Sequence, residues 1–401
     1  MELRISSYTR LFVALAATTF VALQQSCVSS AGGEDTEAAL LQFHLKQHDN
    51  PVGGGKKRLR IAIAAYVSQP IPTLAWRDAF AVFAYAAQRV KNQSRHAIDI
   101  MAIVPDTFTE HDQQVFAKLG IPARPFPPPV SLQEMNATFA KQVEHSGCCG
   151  YSENLKLHGA GMTQYDRVLV LDADVLLLDP MDELFDQTTQ GMAGTFDYDL
   201  AIEGTAFPTI QGGFFLFVPD KKDYDALKQL VRLGDWRSGT GWHGSGTGYA
   251  YGGGLATGLV SFYYNMVDTV YPKVSFRPEP LKYGTDLPGN YSTVPAGSRF
   301  QALDRSIYDV LDTEDLRVAW EAKAIDLSHI KAFHFAGDCL KPWDCALAKT
   351  DVCRYATDKW WQMRRELKQK LGLDASAGGG DQCSGYGEKA YTPLKHDFAL
   401  L

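Results

Sequence analysis

The chain alternates short apolar runs with longer amphipathic stretches. Arg60–Val67 (RIAIAAYV) and Ile98–Val104 are apolar runs of strand length, whereas Trp76–Val90 and Thr107–Leu119 repeat apolar positions at helical spacing. Pro122–Pro129 breaks the pattern. Beyond it the spacing predicts a helix around Leu132–Glu144, another across Asn154–Gly161, and a strand at Arg167–Leu171. Gly213–Val218 (GFFLFV) then reads as a strand, Tyr224–Leu233 as a helix, Gly239–Gly254 as a glycine-rich loop and Leu255–Val267 as an aromatic helix. Ile330–Phe335 is a late strand and Asp358–Leu371 a charged amphipathic helix. Strands alternating with helices predict an α/β fold with a mainly parallel, mixed sheet flanked by helices.

The ends of the chain carry other information. Arg4 and Arg10 precede a largely apolar run, Leu11–Leu23, and polar or small residues follow from Gln24 to Gly33. That is the pattern of a secretory signal, and the run is shorter than the roughly 20 residues of a spanning helix. Residues 1–31 are expected to be a cleaved signal peptide, with a short signal anchor as the alternative and the only expected tie to a membrane. Residues 32–58 read as a linker ending in a glycine and lysine run, 59–373 as the folded body, and 374–401, with Gly378–Gly380, as a mobile tail. Within the body, about 59–185, 186–345 and 357–373 are expected to be two halves and a closing helix.

Composition removes some functions. The 401 residues have 21% charged content, a net charge of −7 and a pI near 5.8, so no basic stripe for a nucleic acid is present. A phosphorylated small molecule stays open, because a divalent cation can supply the missing positive charge. Of seven cysteines, Cys27 falls in or beside the signal. The other six (Cys148, Cys149, Cys339, Cys345, Cys353 and Cys383) read as disulfides in an oxidising compartment, a zinc site being the less favoured reading. The glycosylation sequons at Asn92, Asn136 and Asn290 fit the same lumenal address, the ER or Golgi or secretion.

The sharpest local feature is RVLVLDADVLLLDP, in which a buried strand ends in Asp172 and Asp174. Ligands of open α/β sheets bind at that edge, and residues two apart in extended chain point the same way. Two carboxylates on one face are costly to bury without a counter-charge, which a hard cation provides.

The wider stretch NLKLHGAGMTQYDRVLVLDADVLLLDPMDELF resembles the nucleotide-binding region of glycosyltransferase family 8, glycogenin and its relatives. The resemblance implies the GT-A fold, which is Rossmann-like, and a donor contact by Lys156. It further implies Mn²⁺ (Mg²⁺ as the alternative) on Asp172 and Asp174, and a backbone contact from Ala173 to the nucleotide. IKAFHFAGDCLKPW is similar to a second motif of that family through His334, Phe335, Gly337, Lys341, Pro342 and Trp343. It adds His334 as third metal ligand and Gly337 and Lys341 as donor contacts; imidazole suits Mn²⁺, and a lysine can neutralise a leaving diphosphate. Gln211, in QGGFF, is the candidate catalytic contact to the donor sugar, or a polar residue of a tight turn; Tyr66, ending the first strand, stacks on the base or belongs to the core. Trp242, His243 and Tyr249 are candidates for the acceptor site.

One departure stands out: where the family has Asp-Gln-Gly, this chain has Ala256-Thr257-Gly258. The implied function is transfer of a hexose or related sugar from a UDP-sugar to a glycan or protein acceptor, with retention. Two other readings stay open. LDADVLLLDP also suits haloacid-dehalogenase-like phosphatases, with Asp338 and Asp344 as loose late acids. The missing acid also fits a lumenal binder of nucleotide sugars or glycans that lacks catalysis.

Overall fold

The computed structural model describes residues 57–147, 149–197, 209–248, 252–266, 299–322, 325–373 and 383–394. The signal segment, most of the linker, Cys148, Tyr249, the Asn290 sequon and Gly378–Gly380 lie outside the described residues. Among those described, no helix is long and apolar enough to cross a membrane.

The chain from Arg60 builds β1 (Arg60–Tyr66), α1 (Leu74–Gln93), β2 (Ala97–Pro105), α2 (Glu110–Lys118), β3 (Ala123–Phe126) and β4 (Arg167–Asp172). It continues with β5 (Val175–Leu177), β6 (Met192–Gly194), β7 (Phe214–Phe217), α3 (Lys221–Leu233) and α4 (Ala256–Met266). β8 (Phe300–Ala302), β9 (Val310–Asp312), β10 (Ala332–Gly337) and α5 (Asp351–Lys370) follow. The main sheet has the order β8-β6-β7-β4-β1-β2-β3, with β4, β1, β2 and β3 parallel and β7 antiparallel to both neighbours. A smaller sheet, β9-β10-β5, joins the two halves of the sequence. The α/β architecture with a mainly parallel mixed sheet is therefore present.

Period-two patterning explains the layering. In β1, Ile61, Ile63 and Ala65 enter one core while Ala62, Ala64 and Tyr66 enter the other. β4 divides likewise, Leu169 and Leu171 from Val168 and Val170, and so does β7, Phe214 and Leu216 from Phe215 and Phe217. A strand covered on both faces reads as one continuous apolar run, which is why these three were visible in sequence. At about 1.5–3 kcal/mol for each large side chain buried, these central strands hold the two layers together.

Several helices differ from the sequence pattern for local reasons. The expected helix at Leu132–Glu144 is divided into a 3₁₀ turn at Leu132–Glu134 and a helix at Ala137–Val143, because the Asn136 side chain accepts from Thr138 N and Phe139 N and starts a new helix. Asn154–Gly161 is mostly a 3₁₀ segment, Gly150–Leu157, followed by one turn at His158–Gly161. α5 starts at Asp351, seven residues before the expected Asp358, since Thr350 Oγ1 accepts from Cys353 N and caps it.

The mobile-tail expectation needs correction for residues 383–394. Cys383 is bonded to Cys345, and Cys339 to Cys353. Tyr391 and Leu394 are buried; Tyr391 Oη donates to Asp78 Oδ2 at 3.0 Å and accepts from Arg364 Nε at 2.8 Å, and Leu394 N donates to Asp78 at 2.7 Å. Glycine content signalled mobility here, while the binding signal lay in single residues with distant partners. Asp78 and Arg364 are both fully buried and 3.7 Å apart. Removing one member of such a pair strands the other, so Asp78→Ala should lower stability by about 3–5 kcal/mol in urea unfolding. An unchanged midpoint would refute this role.

Candidate functional site

β1 and β4 run in parallel and in register, so Tyr66 stands beside Asp172 at their common C-terminal edge. The chain turns after Asp172 into β5, and His334 of β10 pairs with Val175. Phe335 N donates to Asp174 O at 3.0 Å, while Asp172 N donates to Gly213 O at 3.0 Å. Backbone bonds thus fix the two carboxylates between β7 and β10. As a result, ligand atoms of Asp172, Asp174 and His334 all lie within 4.8 Å of one another. The two motifs, separated by about 160 residues in sequence, meet in space.

Two lysines flank this cluster. Lys341 Nζ is 2.9 Å from Asp174 Oδ2 and donates to Phe335 O at 3.1 Å. Lys156 Nζ is 2.7 Å from Asp172 Oδ1, donates to Gly212 O at 2.9 Å, and lies 4.9 Å above the Tyr66 ring. With its side chain 3% exposed, Lys156 is a buried counter-ion of Asp172 in this structure.

Charges here strongly shift one another. Burial raises the Asp172 carboxyl above its usual range, and Lys156 offsets only part of that. Burial alone would also lift Asp174, but His334 and Lys341 outweigh it and hold that carboxyl well below the ordinary range. Burial disfavours the His334 cation, yet Asp174 and Asp309 on either side push its pKa well up.

The donor set suits a hard divalent cation: two carboxylates and an imidazole. Asp172 Oδ1 is buried against Lys156 Nζ at 2.7 Å, so a cation would share this carboxylate with that lysine. A second grouping of ligand-type side chains, Asp312 with Cys339 and Cys353, differs in kind because its sulfurs are joined in a disulfide.

A cleft of about 280 Å³ opens beside the cluster, lined by Tyr66, Gln69, Trp76, Phe80, Ala173 and Lys341 among others. Tyr66 shares a hydrogen bond with Ser152 Oγ at 3.2 Å, and burial drives its phenol pKa far up. Gly337 is exposed at φ +63, at the end of β10. Gln211 folds its side chain back to accept from Gly213 N, the turn alternative named above, and Gln211 N donates to Thr195 O at 2.8 Å. Of the acceptor candidates, Trp242 is buried with Nε1 donating to Gly253 O at 2.7 Å, so it belongs to the core. His243 is paired with Asp235 at 2.7 Å on the surface.

Sequence reading missed two carboxylates. Glu153 is buried, accepts from Thr257 Oγ1 at 3.0 Å and lies 3.9 Å from Lys156 Nζ. Thr257 belongs to the Ala256-Thr257-Gly258 segment, so a buried carboxylate from another part of the chain contacts that segment. Its signal was its position three residues before Lys156. Asp309, fully buried, approaches His334, and no local pattern marks it.

Gly213 packs directly on the imidazole: a Cβ there would lie 2.3 Å from His334 Cε1. Gly213→Ala should therefore push the ring aside and lower stability by about 1–3 kcal/mol, read as a fall in melting temperature. Melting like the wild type would show that the ring has room to move.

No protein-family model and no curated protein matches the chain. Among solved structures it is similar to the galactosyltransferase LgtC in complex with donor and acceptor sugar analogues, at 13% identity over 77% of this chain and 96% of that one, TM-score 0.39. It is also similar to the glycosyltransferase GlyE of Streptococcus pneumoniae TIGR4 in its apo form, at 11% identity over 79% and 64%, TM-score 0.41. A third is mouse xyloside xylosyltransferase 1, apo form, at 11% identity over 71% and 98%, TM-score 0.37. At such scores the roles of individual residues rest on the geometry described above.

Proposed function

We propose that the chain is a divalent-metal-dependent glycosyltransferase of the GT-A type, taking a sugar from a UDP-sugar donor to a hydroxyl of a glycan or protein acceptor. The observation that carries this reading is the meeting of Asp172, Asp174 and His334 within 4.8 Å of one another beside an aromatic-lined cleft. Asp172, Asp174 and His334 would hold Mn²⁺ or Mg²⁺. When bound, the cation supplies Lewis-acid stabilisation of the departing diphosphate.

The chain's own residues do the rest. Lys341, at the cleft wall, neutralises charge on the leaving nucleotide. Tyr66 and Trp76 offer apolar surface to the base, and Ala173 presents its backbone there. Lys156 pairs with Asp172 in a buried setting and is itself held by Gly212 O. Glu153 reaches the Ala256-Thr257-Gly258 segment by accepting from Thr257 Oγ1. Retention of configuration is carried over from the family resemblance. The two disulfides and the N-terminal leader pattern support a lumenal place in the secretory pathway, ER or Golgi.

Of the two late acids of the phosphatase reading, Asp338 is largely exposed and paired with Arg317 at 2.7 Å. Nucleotide release from UDP-glucose, UDP-galactose, UDP-glucuronate, UDP-xylose and UDP-N-acetylglucosamine, with Mn²⁺ and with a chelator, tests the proposal. Release should require the metal and fall at least about 100-fold in Asp174→Ala, because its ligand and charge are gone. Turnover surviving both chelation and Asp174→Ala would remove the metal from the mechanism, and nucleotide affinity without turnover on every donor would indicate a binder.

A further inference from the structure

The fully buried Asp309 has no part in the donor and metal contacts set out above, yet its surroundings are highly specific. It precedes β9 in a left-handed conformation, φ +50, which side chains other than glycine seldom adopt and which Asp and Asn tolerate best. Val310 pairs with Phe333, and this register brings Asp309 alongside the imidazole of His334. Asp309 Oδ2 accepts from Thr195 Oγ1 at 2.9 Å, which anchors one oxygen. Its other oxygen, Oδ1, stands 3.2 Å from His334 Nδ1. That approach is bent, and neither atom has another hydrogen-bond partner. The opposite ring nitrogen, Nε2, points to Asp174 Oδ1 at 3.3 Å, into the ligand cluster. The imidazole is thus held edge-on between a carboxylate that belongs to the cluster and one that does not.

We infer that Asp309, braced by Thr195, is a positioning residue that fixes the ring and tautomer of His334 so that Nε2 is presented to a divalent cation shared with Asp172 and Asp174. The chemistry is general: a ligating imidazole that offers one nitrogen to a metal gives the proton on its other nitrogen to a carboxylate, which orients the ring and raises its donor strength. The strained backbone supports this reading, because a buried residue in a rare conformation persists where its side chain is needed at one point. Thr195 also extends the bracing: its carbonyl takes Gln211 N at 2.8 Å while its hydroxyl holds Asp309, so the turn carrying Gln211 and the metal cluster share one support.

The inference rests on the metal reading of the proposed function, and the two can fail separately. The measurement is Mn²⁺ binding to the full chain, followed by the electron paramagnetic resonance signal of free Mn²⁺, with no sugar donor and no turnover. Asp309→Asn keeps the shape and tolerance of the left-handed conformation, and removes the charge. It should bind Mn²⁺ about 10–100-fold more weakly than the wild type while keeping the native fold by circular dichroism. In a His334→Gln background the same change should cost no further affinity, because there is no imidazole left to orient. Thr195→Val, which removes the brace alone, should weaken binding in the same direction and provides a second test if Asp309→Asn folds poorly. Wild-type affinity in Asp309→Asn would overturn the inference, and so would an equal loss in the His334→Gln background, which would mark Asp309 as general packing. Absence of Mn²⁺ binding in the wild type would overturn the metal reading itself.

Discussion

Four carboxylates, those of Glu153, Asp172, Asp174 and Asp309, crowd into one poorly solvated region and are met there by Lys156, Lys341 and the His334 imidazole. Buried charges of one sign are stable only with partners at short range, so this neutralisation constrains the rest of the molecule. Each cation is fixed by a different device: Lys156 by Gly212 O and the Tyr66 ring, Lys341 by Phe335 O, His334 by the sheet it stands in.

The sheet makes this crowding achievable. β1 and β4 bring Tyr66 and Asp172 to one edge through a register that is fixed by buried residues on both faces, since a slip of one residue would exchange the two cores. β10 comes to the opposite flank by pairing with β5, which starts one residue after Asp174. The two acids and the imidazole therefore lie on either side of one tight turn, although the sequence between them includes nearly all of the second half of the domain.

Much of the site was legible because its residues sit in local patterns. Asp172 and Asp174 end an apolar strand, and His334, Gly337 and Lys341 follow one another within a short motif that resembled a known family. The rest depended on pairings that leave no periodic trace. Asp309 matters through Thr195 and His334, which are 114 and 25 residues away. Glu153 meets Thr257 across 104 residues, so reading the Ala256-Thr257-Gly258 segment alone could not show the carboxylate beside it. Composition misjudged residues 383–394 for a similar reason: Cys383 and Tyr391 bind them down, and two residues do not change an average.

The covalent closure of the C-terminal region has an effect beyond rigidity. Cys339 and Cys345 lie on either side of Lys341, one tied to α5 and the other to Cys383, so the segment carrying that cation is stitched at both margins. The position of that cation beside Asp174 thus has covalent support from two separate parts of the chain, α5 and the C-terminal segment.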